Sequence, residues 1–298
     1  MTDRATESSS EILRQVRRIE IKTRGLSNDI FAGKYHSAFK GRGMAFSEVR
    51  EYRMGDDVRD IDWNVTARSM KPHIKVYEEE RELTMMLLVD VSASRMFGST
   101  DRLKKNIITE IAAVLAFSAA QNNDKVGCIF FSDRVEKFIP PKKGRAHVLM
   151  IIKELISFMP ENNGTDISEG LRYLTNILKK RSTAFVLSDF MDTADGRARF
   201  EDALKIASGK HDMVGIRVYD RREQQLPDVG ILELKDAETG EKVWVDTASR
   251  AVRDAYARNW EQTSALIDSS LKRCRVDNVK IATGEDYVTS LMKLFKRR

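Results

Sequence analysis

Asp90, Ser92 and Ser94 stand at alternate positions in the stretch Asp90-Val-Ser92-Ala-Ser94, which closes the apolar run LTMMLLVD (83–90). Alternate residues of an extended turn point the same way, so one carboxylate and two hydroxyls can converge on one point. Such a set, without His or Cys, suits Mg2+, Mn2+ or Ca2+ and not zinc or iron. The same serines could instead cap the following helix with no metal involved. Thr165 and Asp189 favour the metal. Thr165, in NNGTD, opens a predicted helix after a glycine turn, and Asp189, in LSDF, ends another apolar strand. Both belong to loops at the sheet edge where ligands of open α/β sheets collect. Arg95, Met96 and Phe97, with Asp166 and Phe190, form a candidate partner-binding rim, although Met96 and Phe97 could equally cover the core.

These residues need a scaffold, and the pattern from residue 83 onward supplies one. LTMMLLVD, DKVGCIFFSD (124–133), TAFVLSD (183–189) and HDMVGIRVYD (211–220) read as buried strands. Helical faces separate them: residues 103–115, 148–159, 167–178 and 197–209. VEKFI (135–139) is expected to pair back as a hairpin, as is VGILELKDAETGEKVWVDT (229–247) around a Gly-containing turn. A long helix (249–273), a strand (276–284) and a helix (286–296) follow. The alternation implies an α/β fold with a mostly parallel central sheet flanked by helices. Upstream, residues 1–10 read as a polar tail and 11–22 as a short amphipathic helix carrying Ile12, Val16 and Ile19. Residues 23–80 are rich in Gly, Arg and Asp, with Phe31, Tyr35, Phe39, Phe46, Tyr52, Trp63 and Tyr77 among them. The expected organisation is therefore 1–22 as tail and short helix, 23–82 as an irregular, β-rich segment packed on the body, and 83–298 as the α/β domain.

The chain has 298 residues, 42% apolar and 32% charged, which excludes low-complexity disorder. Its longest apolar stretch, IAAVLAFSAA (111–120), is half of the ~20 residues a membrane helix needs. MTDRATESSS at the start has no apolar core of a secretory signal. Cys128 and Cys274 lie far apart and read as free thiols, so a cytoplasmic location is expected. The net charge of +6 is too small to argue for nucleic acid. Residues 11–75 carry a net +5 with interleaved aromatics, yet nine acids are mixed into the same stretch, so nucleic-acid binding is not expected. Arg42, Arg50, Arg53, Arg59 and Arg68 alternate with Glu51, Asp56, Asp57, Asp60 and Asp62. The acids could form a second metal or nuclease site, but the alternation favours Arg–carboxylate pairs that fix an irregular segment. His36, His73, His147 and His211 share no spacing with a nucleophile.

Asp90-Val-Ser92-Ala-Ser94, Thr165 and Asp189 together resemble the metal-ion-dependent adhesion site of von Willebrand factor A domains, over about residues 83–220. The resemblance implies a Rossmann-like sheet of six strands with one short antiparallel strand, for which VEKFI is the candidate. It also implies that Ser92, Ser94 and Thr165 bind the ion directly, while Asp90 and Asp189 act mostly through water, leaving one position for a partner's acidic side chain. Residues 31–81 resemble the hallmark of the bacterial family called domain of unknown function fifty-eight, through Arg50-Glu51-Tyr52, Gly55-Asp56-Asp57, Arg59, Ile61-Asp62-Trp63 and Ala67-Arg68. Members are typically encoded beside MoxR-type AAA+ ATPases and other von Willebrand A proteins. The resemblance thus implies a non-catalytic, metal-dependent protein-interaction module acting as an adaptor for such an ATPase in protein assembly or maturation. A phosphatase-like hydrolase with Asp90 as nucleophile is the enzymatic alternative. Haloacid-dehalogenase chemistry wants a second Asp where this chain has Ser92, and no Lys or Arg motif for phosphate follows.

Overall fold

The computed structural model describes residues 12–22, 45–78, 83–99 and 103–298. The N-terminal tail and Phe31, Tyr35, His36, Phe39 and Arg42 of the hallmark segment lie outside these residues. Along the chain run α1 (residues 12–22), β1 (Ala45–Glu51), α2 (Trp63–Ser69), β2 (His73–Glu78), β3 (Thr84–Asp90), α3 (Lys104–Gln121), β4 (Lys125–Phe131), β5 (Val135–Lys142), α4 (Arg145–Ser157) and α5 (Ile167–Ile177). They are followed by β6 (Thr183–Ser188), β7 (Thr193–Ala194), β8 (Arg197–Ala198), α6 (Glu201–Lys210), β9 (Asp212–Tyr219), α7 (Arg221–Gln224), β10 (Ile231–Lys235), β11 (Lys242–Asp246), α8 (Arg250–Arg273), β12 (Asp277–Ala282) and α9 (Tyr287–Arg297).

The chain divides into two compact units, residues 39–83 and the remainder. In the smaller unit β1 and β2 pair antiparallel, with α2 between them. Its acids are engaged locally. Asp56 takes two 2.8 Å bonds from the Arg50 guanidinium and one of 2.7 Å from the Arg53 amide. Asp57 caps the turn Val58–Asp60, and Asp62 caps α2 through the amides of Asn64 and Val65. Pairing and capping, rather than a second metal site, therefore account for these carboxylates.

The larger unit holds a six-stranded sheet in the order β12-β9-β6-β3-β4-β5. All pairings are parallel except β4 with β5. Pro140 and Pro141 fit β5 because it is an edge strand with no neighbour to receive the missing donors. Met85 to Val89 of β3 are fully buried, as a strand covered on both faces requires. Met86, Leu88, Ile129, Phe131, Ala184 and Val186 face α5, α6 and α8. The alternate residues face the opposite layer, where Phe185 meets Phe295 of α9 edge-on at 6.3 Å. From β3 the chain crosses to β4 on one side and returns through β6 on the other. The crevice between the carboxyl ends of β3 and β6 is thus the topological switch point, where open α/β sheets bind ligands.

The helix expected over 197–209 starts only at Glu201. Ahead of it Asp195 and Gly196, both with positive φ, make the two-residue turn of the β7–β8 hairpin. An Asp-Gly pair is the usual chemistry of such a turn, and the helical period masks it in the sequence.

Candidate metal centre

Three loops meet at the crevice. Asp90 is the last residue of β3, and the turn Ala93–Met96 follows it. The Ala93 amide donates to Asn163 O at 3.1 Å, which ties this turn to the loop bearing Thr165. The Ile167 amide donates to Asp192 Oδ2 at 3.1 Å, which ties that loop to the one bearing Asp189. Asp90 Oδ1 accepts from the Ser92 amide at 2.9 Å and Oδ2 from Ser188 Oγ at 2.6 Å. Burial, and then the charge of Asp189, push the Asp90 carboxyl up to about 6 against the bonds from Ser188 and Ser92. Ser92 Oγ lies 3.2 Å from Ser94 Oγ. The capping alternative is not realised: Ser92 precedes the turn, yet its side chain makes no capping bond.

These donors fit a hard cation. Neighbouring oxygens around an octahedral Mg2+ with 2.1 Å bonds stand about 3 Å apart, close to the separation of the two serine hydroxyls. Asp192 Oδ1 is buried at the same edge without a hydrogen bond, with Arg199 Nε 3.5 Å away. Among the described residues no three His, Cys, Asp or Glu side chains are grouped to hold an ion.

Asp189 follows directly after β6. Both carboxylates are covered: Asp90 is 2% and Asp189 7% exposed. The cover comes from residues the sequence reading passes over. Lys104, the first residue of α3 and 1% exposed, donates from Nζ to Asp189 Oδ2 at 2.9 Å and to Glu223 Oε1 at 2.6 Å. Burial raises the Asp189 carboxyl, but the Lys104 ammonium outweighs it and holds Asp189 below the usual range. Arg217 of β9, also 1% exposed, donates from Nε to Asp189 O at 3.0 Å and from Nη1 to Ser264 Oγ at 2.9 Å. Its guanidinium lies over the Trp260 ring at 5.4 Å. Both basic residues sit in segments that read as ordinary helix and strand, so only the fold reveals their role. Thr165 Oγ1 donates to Glu238 Oε1, at the tip of the β10–β11 hairpin, at 2.5 Å.

Two members of the expected rim are not at the surface. Arg95 is 4% exposed and donates to Phe158 O at 2.6 Å, and Phe190 is buried with its ring 5.5 Å from Phe200. A long apolar stem and a ring at the crevice floor gain more from burial than from exposure. Asp166 caps α5 through the Ser168 amide at 2.8 Å. Met96 and Phe97 are exposed, and the other two loops add exposed Met159 and Met191.

Among the described residues no helix is long and apolar enough to cross a membrane. Residues 48–265 match the family model described as "Protein of unknown function DUF58". An uncharacterized protein of Mycobacterium tuberculosis (strain H37Rv) and one of Mycobacterium bovis are each 27% identical over 285 residues, covering 95% of this chain and 88% of theirs. The fold is similar to that of an aerotolerance-related membrane protein from Bacteroides fragilis (TM-score 0.49, 14% identity, 72% of this chain, all of that one). It is also similar to a von Willebrand factor type A protein from Catenulispora acidiphila (TM-score 0.40, 10% identity, 72% of this chain, 41% of that one).

Proposed function

The chain belongs to the DUF58 family of proteins of unknown function, and from that premise we propose that it is a non-catalytic protein-interaction module whose recognition depends on a divalent cation. The observation that supports this reading is that the Ser92 amide bonds Asp90 and the Ser92 hydroxyl lies beside that of Ser94 at the switch point, while two bonds tie the loops of Thr165 and Asp189 to theirs, with Met96, Phe97, Met159 and Met191 exposed on the three loops. Those five residues would hold Mg2+, or Mn2+ or Ca2+ in its place. When bound, the cation supplies a Lewis acid for a carboxylate. The methionines offer an adaptable apolar surface around it.

The partner proposed from the family resemblance is a MoxR-type AAA+ ATPase, with other von Willebrand A proteins as further candidates. A cytoplasmic setting belongs to the same reading, and Cys128 and Cys274 are both buried free thiols. The phosphatase alternative gains a basic residue in Lys104, but its ammonium is engaged by Asp189 and Glu223.

The test is a pull-down of a MoxR-type ATPase with wild type, with EDTA-treated wild type and with the double variant Met96→Asp/Phe97→Asp. Capture by wild type and loss in both other arms is expected. Undiminished capture after EDTA treatment overturns the metal-dependent mechanism.

A further inference from the structure

The carboxylate that a partner would bring to the cation is already matched by one within the chain. We propose that Glu238 is an internal acidic ligand of the cation site, presented by the β10–β11 hairpin, and that a partner's carboxylate must displace it. The inference rests on the cation reading above.

Contact comes first. Thr165 is one of the five expected ligand residues, and its hydroxyl bonds Glu238 Oε1 at 2.5 Å across 73 positions of sequence. That oxygen pair and the 3.2 Å pair of Ser92 and Ser94 bracket the about 3 Å spacing of neighbouring oxygens around a Mg2+ ion.

The hairpin is built to present this residue. Asp236 Oδ1 accepts from the amides of Glu238 at 2.7 Å and Thr239 at 3.0 Å, and the Gly240 amide closes the turn on Asp236 O at 3.0 Å. The positive φ of Gly240, +77°, is one that a residue with a side chain rarely adopts. The turn thus fixes Glu238 locally. The hairpin itself is lightly held, for Ile231, Val243 and Trp244 are 71%, 57% and 69% exposed. Little apolar area is lost when it lifts, so its release is a low-cost local opening. Thr247 bonds Gly230 O through both amide and hydroxyl and marks the base about which it turns.

Mn2+ alone is the probe, titrated into the full chain by calorimetry with water-proton relaxation recorded in parallel. Wild type, Ser92→Ala, Glu238→Gln and Glu238→Ala are compared, with circular dichroism to confirm folding. Wild type should bind Mn2+ and Ser92→Ala should lose most of that binding. Both Glu238 variants should bind about tenfold more weakly, and their bound Mn2+ should exchange one more water. Added acetate should displace that extra water in Glu238→Ala and have little effect in wild type. If wild type and the Glu238 variants share one affinity and one hydration number while Ser92→Ala is impaired, the Glu238 proposal fails and the cation site stands. If Ser92→Ala binds Mn2+ as wild type does, the cation reading fails and this inference with it.

Discussion

The ammonium of Lys104 lies 2.9 Å from Asp189 Oδ2 with both side chains out of solvent, so the acid at the end of β6 is held by the first residue of α3. Breaking such a buried pair from one side leaves an uncompensated charge. Asp189→Ala should therefore lower stability by about 3 kcal/mol. Urea unfolding of Asp189→Ala, Lys104→Met and the double variant measures this. The double variant should cost less than the sum of the singles, and strict additivity would show that the pair is not coupled.

Cation binding should stabilise the fold by mass action. At a free Mn2+ concentration of ten times Kd the gain is about 1.4 kcal/mol, a rise of about 3 °C in Tm. Asp90→Asn should abolish the rise. An equal shift in the variant would place the ion elsewhere.

Arg217 should act as a positioning residue. It fixes the Asp189 carbonyl and spans to Ser264 on α8. Lysine keeps the charge but not the planar fork, so Arg217→Lys should cost about 2 kcal/mol. It should also weaken Mn2+ binding several-fold by loosening the Asp189 loop. Calorimetry beside urea unfolding tests both, and unchanged metal affinity with reduced stability would assign Arg217 a purely structural role.

Acid sensitivity should appear at a site remote from the crevice. The Arg273 side chain hydrogen-bonds Glu201 and holds its carboxyl down at about 2, with burial opposing and Ser270 assisting. A carboxyl depressed in the folded state contributes stability above its unfolded pKa, near 4.5, and loses it as pH falls toward 2. The pair is partly exposed, so the contribution is about 1 kcal/mol at most. Glu201→Gln should thus be less stable than wild type at pH 7, with the gap narrowing below about pH 4.5 and closing only toward pH 2. A gap independent of pH would show that charge is not its source.

The sequence by itself determined the layered architecture. Continuous apolar runs such as LTMMLLVD and TAFVLSD can be satisfied only by strands buried on both faces, and the 3.6-residue faces between them only by covering helices. The same logic placed Asp90, Ser92, Ser94, Thr165 and Asp189 at one sheet edge, because residues that end buried strands or open the next helix must lie there. What those residues touch was decided by the tertiary structure. Lys104 and Arg217 occupy positions whose local pattern is plain helix and strand, and their burial beside Asp189 arises only when α3 and β9 pack around the switch point. Arg95 and Phe190 follow candidate ligand residues in sequence but turn inward, since burial depends on where the crevice floor lies and not on adjacency along the chain. Glu238 meets Thr165 because a hairpin 73 residues further on folds back over the loop, a long-range approach that no local periodicity or spacing encodes.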